Sequence, residues 1–353
     1  MNEITKSQIG RIGKAIKNNS ATDEDLNIFS KWRSDHVLLT RDLAKTLRRK
    51  AGQNKLKATI SRRLKRQPSI FTKLTRFPKM QLDRMQDIGG VRIILKNIND
   101  ANNMSNILSN MYGINKKNSM FTLKKPITDY ITNPKKDGYR SIHHIYLYTG
   151  SSKKAQSLIG FFIELQVRTE IQHMWATTLE IFDIRSNSSL KTGSGEEEHR
   201  EFFQLCSLIF AFLDNCITKQ EKEHFDINTI YARIQELNDK HNIINVLQGL
   251  KVSIQHIDNK TKCDFFILEL NLESSMLTIH KPNSEIQART LYSSLERDIK
   301  KDSLKKEVVM VSAEDIKAIK KAYPNYFLDS EKFVKHINNF LQKKGEIWKK
   351  ITE

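Results

Sequence analysis

The sequence predicts an α+β fold, and three observations carry that prediction. Phe161, Ile163, Leu165 and Val167 alternate with Glu164, Gln166 and Arg168, a period of two that marks a half-buried strand. Thr169 follows, with Gln172 three residues on in capping-box spacing, and Ile171, Trp175 and Leu179 continue at helical spacing. Beyond residue 225 short strand and helix patterns mark a second, smaller α+β unit.

In chain order, residues 1–50 read as a helical segment. Thr22 with Asp25 three later opens a helix, and Leu26, Phe29 and Trp32 follow at helical spacing. Residues 47–84 are densely basic, punctuated by Gly52 and Pro68. Arg63 and Lys65 precede Pro68, Ser69 is placed to cap a helix, and Lys73 stands one turn up on the same face. A helix N-terminus among such cations is a ready anion site; the plainer reading is a solvated basic surface.

Asp87 stands ahead of the alternating Val91, Ile93 and Leu95, beside Gly89 and Gly90. It reads as a Mg²⁺ ligand or as an ordinary turn cap. Residues 97–112 read as a helix. Gly138 then turns a loop into a strand that carries His143 and His144 on opposite faces, which suits hydrogen bonding rather than chelation. Tyr139 offers a ring for a nucleobase, with Arg140 and His143 as donors.

Residues 187–198 read as a loop and 198–219 as a core helix. In the C-terminal unit, 237–250, 285–300, 313–321 and 330–343 read as helices, and 252–257, 265–270, 276–280 and 308–311 as strands. Tyr323, Tyr326 and Phe327 read as core or as a contact surface.

Composition sets the bounds. The 353 residues are ample for a large core, and a net charge of +19 suits phosphate-rich partners without fixing the fold. Cys206, Cys216 and Cys263 have neither metal-ligand nor disulfide spacing; two fall in an apolar helix, as free thiols of a reducing cytosol would. The N-terminus shows no signal-peptide pattern, and the most apolar segment, 205–213, is too short to span a bilayer, so a cytoplasmic chain without a membrane partner is expected.

Four stretches line up in order and spacing: Arg63/Lys65/Ser69/Lys73, Asp87 with its glycines, the run from Asp137 to His143, and the run from Ile163 to Thr169. Together they resemble the synthetase domain of the RelA/SpoT family, over roughly residues 40–185. The resemblance implies a mixed β-sheet flanked by helices and an ATP-dependent pyrophosphokinase activity. With the residue patterns on either side, the chain divides into an N-terminal helical segment (1–50), a synthetase domain (51–222) and a C-terminal α+β accessory or regulatory domain (223–353).

It also implies roles. Arg63, Lys65, Ser69 and Lys73 would bind ATP, with Arg63 near adenine and the lysines on the phosphates. Asp87 and Glu164 would be the catalytic acids and the Mg²⁺ ligands, Glu164 either sharing the metal or activating the acceptor hydroxyl. Tyr139 would stack on the acceptor base, and Arg140, His143, Gln166 and Arg168 would line the acceptor side. Residues 96–102 show no counterpart of the family's second adenine-stacking arginine, and Arg140 stands where many bifunctional members have Gln. The chain contains no His-Asp dipeptide, so the family's metal-dependent hydrolase half is not expected.

Three functions follow. One is transfer of the β,γ-pyrophosphate of ATP to the 3′-hydroxyl of GDP or GTP, giving (p)ppGpp and AMP. The second is the same transfer to the tRNA 3′ end, or to an adenosine nucleotide, by a toxin of toxin–antitoxin or phage-defence type. An antitoxin, or the C-terminal domain itself, would neutralise it; the charge and the extra domain motivate this reading. The third is an inactive RNA- or nucleotide-binding module, against which the two retained acids argue.

Overall fold

The computed structural model describes residues 4–114, 116, 119–150, 153–186, 197–248, 253–255, 265–271, 274, 276–302, 306–312, 319–320, 323, 330–344 and 348–350. Two helices lead, α1 (Lys6–Lys17) and α2 (Asp23–Gln53). Helix α2 starts on the expected capping box, with Thr22 and Asp25 each accepting from the other's backbone N–H. It buries Leu39, Leu43 and Leu47 against the sheet.

The elements that build the cleft follow: β1 (Ala58–Leu64), α3 (Gln67–Arg76), β2 (Gly89–Leu95), α4 (Ile98–Tyr112), β3 (Phe121–Leu123), β4 (Thr128–Asp129), β5 (Ile142–Tyr148), β6 (Phe162–Thr169) and α5 (Glu170–Ser186). Then come α6 (Glu197–Leu213), α7 (Lys219–Glu223), α8 (Ile227–His241), α9 (Ile243–Gln248), β7 (Ser253–Gln255), β8 (Phe266–Asn271), β9 (Met276–His280), α10 (Glu285–Asp302), β10 (Lys306–Ser312) and α11 (Glu331–Leu341).

Among the described residues all ten strands join one mixed sheet in the order β3-β5-β6-β2-β1-β10-β8-β9-β7, with β4 beside β5. The β2–β6 and β7–β9 pairs are parallel and the others antiparallel. The boundary expected at 223 therefore does not interrupt the sheet. Arg62 and Arg63 of β1 pair with Ser312 and Val311 of β10. A second tie runs between helices: Arg33 of α2, 1% exposed, donates to Glu296 of α10 from both terminal nitrogens.

Several elements differ from the sequence reading. Strand β1 lies inside the basic run, where adjacent Arg62 and Arg63 mask the alternation of Ile60 and Leu64. Arg62 is 5% exposed, with its guanidinium over the Phe265 ring, so this stretch is not a solvated face. Helix α3 begins two residues before Ser69, with Arg66 at its N-cap, so Ser69 does not cap it. Helix α6 stops at Leu213 rather than 219; Asn215 takes φ 56° and Thr218 caps α7. Cys216 thus follows the helix, while Cys206 lies within it, and both are free thiols. The helix expected at 237–250 is broken by left-handed Asn242. The loop at 187–196, most of 313–321, Tyr326, Phe327 and Cys263 lie outside the described residues.

Candidate active site

Sheet register assembles one polar face. Strand β6 turns Ile163, Leu165 and Val167 into the core, each fully buried, and presents Glu164, Gln166 and Arg168 on the other side. On β2, Gly90 lies beside Glu164 and Arg92 beside Gln166; on β1, Arg63 lies beside Gly90; on β5, His143 lies beside Gln166. These residues line an open cleft. Gly90 leaves its floor open between Arg63 and Glu164, since a Cβ there would meet only the Arg63 carbonyl oxygen, at 3.7 Å. Gly89 does a different job. A Cβ would come within 3.1 Å of His36 Cβ, so its absence lets α2 close on the sheet.

Asp87, just ahead of β2, gathers two cations from the basic segment. Lys65 Nζ donates to its Oδ2 at 2.9 Å, and Lys73 Nζ to Oδ1 at 3.0 Å and Oδ2 at 2.9 Å. Burial pushes the Asp87 carboxyl up, but the two ammonium groups outweigh it and hold the pKa below its ordinary value.

Glu164 is the end of a closed hydrogen-bonded circuit. His143 Nδ1 lies 3.0 Å from Glu164 Oε1, and Gln166 Nε2 donates to Oε2 at 3.0 Å. Arg168 Nη2 donates to Gln166 Oε1 at 2.9 Å and to the Tyr139 hydroxyl at 2.6 Å; that hydroxyl lies 2.7 Å from His143 Nε2. Arg168 can only donate, so the Tyr139 hydroxyl accepts from it; in the Nδ1–H tautomer of His143 that hydroxyl donates its proton to Nε2 and Nδ1–H donates to Glu164. Burial raises the Glu164 pKa, Asp87 adds to that, and His143 with Gln166 overcomes both, so the carboxyl stays below its ordinary value. Arg168 is 3% exposed, and its Nε and Nη1 have no hydrogen-bond partner in the protein.

The Tyr139 ring carries cations. Lys135 Nζ lies 4.7 Å from its centroid and the Arg168 guanidinium 5.0 Å. A base stacking there would displace Lys135, which belongs to the same loop.

Most of the residues predicted for the site therefore meet in one place: Arg63, Lys65, Asp87, Tyr139, His143, Glu164, Gln166 and Arg168 line the cleft, and Lys73 reaches it through Asp87. Two do not. Ser69 is not among the lining residues. Arg140 points away, 4% exposed, to an ion pair with Glu221 of α7 and the Ile131 carbonyl; on a strand edge, neighbours in sequence face opposite ways.

Sequence reading missed Arg92, Lys135, Glu180 and Tyr323 in the cleft. The inward phase of Val91 and Ile93, which sets Arg92 on the opposite face, is the available signal. Burial and the charges of Arg168 and Arg63 lower its pKa to about 10. Tyr323 has no such signal, because it comes from the far C-terminal part. It is 1% exposed, its hydroxyl donates to the Arg62 carbonyl at 2.7 Å, and the Arg92 guanidinium lies 5.9 Å from its ring.

Among the described residues no cluster of three metal-ligating side chains occurs. Mg²⁺ takes one or two carboxylates and leaves its other positions to phosphates and water. Asp87 and Glu164, ionised and in one cleft, fit that donor set.

Comparison with known proteins is consistent with this geometry. The family profile described as "Region found in RelA / SpoT proteins" matches residues 62–181. GTP pyrophosphokinase YwaC of Bacillus subtilis is 33% identical over 131 residues, 36% of this chain and 57% of that one. GTP pyrophosphokinase YjbM of the same organism is 30% identical over 120 residues, 33% of this chain and 52% of that one. The chain thus spans about half the length of these two relatives. The solved structure of small alarmone synthetase 1 from Bacillus subtilis bound to its product pppGpp aligns with a TM-score of 0.44 at 23% identity, covering 53% of this chain and 93% of that one.

Proposed function

With residues 62–181 a RelA/SpoT-family synthetase domain, we propose that the chain is an ATP-dependent pyrophosphokinase whose acceptor is GDP or GTP. The observation that carries this reading is the arrangement around Glu164. The Lys65–Asp87–Lys73 group lies on one side of the cleft and the Tyr139–His143–Arg168 circuit on the other. Two substrates thereby have two separate, chemically distinct seats. The names of the relatives, both GTP pyrophosphokinases, support guanine nucleotides as acceptors.

In this reading the acceptor 3′-oxygen attacks the β-phosphorus of ATP, the bond from that phosphorus to the α,β-bridging oxygen breaks, and AMP leaves. Such transfers need positioning and charge neutralisation more than covalent help. Arg63, Lys65 and Lys73 hold the ATP phosphates, and Arg92 adds positive charge at the floor. Tyr139 stacks the acceptor base. Glu164, kept ionised and oriented by His143 and Gln166, takes the hydroxyl proton. Asp87 and Glu164 are the residues that would hold Mg²⁺, which when bound neutralises phosphate charge.

The test supplies ATP labelled on the γ-phosphate with GDP, GTP, ATP or deacylated tRNA. Label is expected on GDP or GTP. Label on tRNA or ATP alone would move the chain to the toxin reading, and label on none, with the fold intact, would sink both.

A second reading concerns control. Tyr323 brings the C-terminal part into the same cleft beside Arg92, which supports intramolecular neutralisation of the ATP seat. Tyr323→Ala is then expected to lower the KM for ATP. An unchanged KM and rate would remove the idea.

A further inference from the structure

The acceptor ring is held from outside the synthetase match. Helices α6 and α7 lie beyond residues 62–181, yet they grip the loop that carries Tyr139. Gln204 Nε2 donates to the Lys136 carbonyl at 2.7 Å, and Ser207 Oγ to the Gly138 carbonyl at 2.5 Å. Glu221 takes the buried guanidinium of Arg140. Gly138 has φ +90°, and a Cβ on it would stand 2.7 Å from Ser207 Cβ, so the loop backbone lies directly on the helix. The Tyr139 ring packs against the same core as Phe202, Phe203 and Phe210 of α6.

We propose that Gln204, Ser207 and Glu221 are positioning residues that fix the Tyr139 loop and thereby set the affinity for the acceptor nucleotide, leaving the ATP seat alone. This rests on the pyrophosphokinase reading. The physical reason is pre-organisation. Within itself the loop is closed by the Gly138 N–H to Lys135 carbonyl bond, the Tyr139 N–H to Asp137 carboxylate bond, the Lys135 N–H to Tyr139 carbonyl bond at 3.2 Å and the Lys135 ammonium over the Tyr139 ring. Untied from α6, it must be ordered each time an acceptor binds, and that cost falls on acceptor affinity. The ATP seat is built on β1, α3 and the residues ahead of β2, and none of the three bonds reaches those elements. Glu221 has a further effect. Without it the buried Arg140 guanidinium loses its direct ion-pair partner, and the chain beside Tyr139 is free to shift.

The test compares the full chain with Gln204→Ala/Ser207→Ala, with Glu221→Ala and with Glu221→Gln. In the double variant, amide hydrogen exchange of a peptide spanning 135–141 is expected to rise while β1 and β2 stay as in the wild type. The acceptor KM is expected to rise about 10-fold with the ATP KM within about twofold. Glu221→Gln keeps an acceptor for Arg140 and is expected to rescue most of the effect of Glu221→Ala. Unchanged exchange in the loop, or equal rises in both KM values, would overturn the proposal. A wild type that transfers to no acceptor would sink the pyrophosphokinase reading instead, and the exchange comparison still decides whether α6 holds the loop.

Discussion

Arg168 supplies two donors from one nitrogen and Glu164 accepts twice, so the five-residue circuit has a direction, and each member's loss should read differently. Glu164→Gln removes the charge and one of the two accepting oxygens at its end, and Asp87→Asn leaves Lys65 and Lys73 without their shared carboxylate. Each is expected to cut transfer by about 100-fold or more with the fold intact, measured as kcat alongside circular dichroism. Wild-type turnover in either would remove that residue from the mechanism. Tyr139→Phe keeps the ring but opens the circuit, so kcat should fall, by about 10-fold, with the acceptor KM held. Tyr139→Ala should instead raise the acceptor KM. Most of this site was legible because strand periodicity assigns faces: Glu164, Gln166 and Arg168 had to share one. Arg140 failed by the same logic, since its neighbour Tyr139 took the cleft side. Tyr323 was out of reach because no local pattern says where a distant segment returns.

At the junction of β6 with α5, Thr169 and Gln172 form the expected capping box, each accepting from the other's backbone N–H. The Thr169 hydroxyl is also tied to the end of α6, donating to Asp214 at 2.6 Å. Burial pushes the Asp214 carboxyl up to about 6, against the pull of Thr169, Lys350 and Arg140. A folded pKa above the unfolded value of 3.8 makes this group most favourable when protonated. Its contribution is complete below about pH 4 and is lost as pH rises through about 6. Asp214→Asn is therefore expected to stabilise the chain by about 2–3 kcal/mol at pH 8 and by nothing at pH 4, as read from urea midpoints. A uniform effect across that range would contradict the assignment. Elements such as this one, with a cap and a clean period, were readable in advance. Strand β1 was not, because Arg62 spends its charge inside the protein, over Phe265, where sequence reasoning puts arginine in water.

The whole molecule is joined by β1–β10 pairing, by the Arg33–Glu296 ion pair and by a core in which Trp175 and Phe203 meet Phe333, Ile337 and Phe340. Three tryptophans sample this unit: Trp32 in the N-terminal core, Trp175 beside the site, and Trp348 packed on Phe340. If the parts unfold together, single-tryptophan variants should share one urea midpoint. A lower midpoint for the Trp348 reporter would mean an independent C-terminal domain. The shared transition should also move with acid. His36 and His144 are buried and held neutral, with pKa values lowered to about 4 from 6.5, His144 bonded between Ser105 and Tyr146. For a histidine depressed on folding, the unfolded chain binds the proton first, so stability falls as pH drops from about 6.5 to about 4, by up to about 3 kcal/mol per group. Asp214 works the other way over much of that window, and Asp87 loses its lysine ion pairs and Glu164 its hydrogen bonds from His143 and Gln166 only below the ordinary carboxylate range. Two groups lose and one gains, so the urea midpoint is expected to fall between pH 6.5 and 4.5, and to fall further in Asp214→Asn, where the opposing contribution is gone. A midpoint that holds steady in that variant would show that the two histidines are not kept neutral by burial.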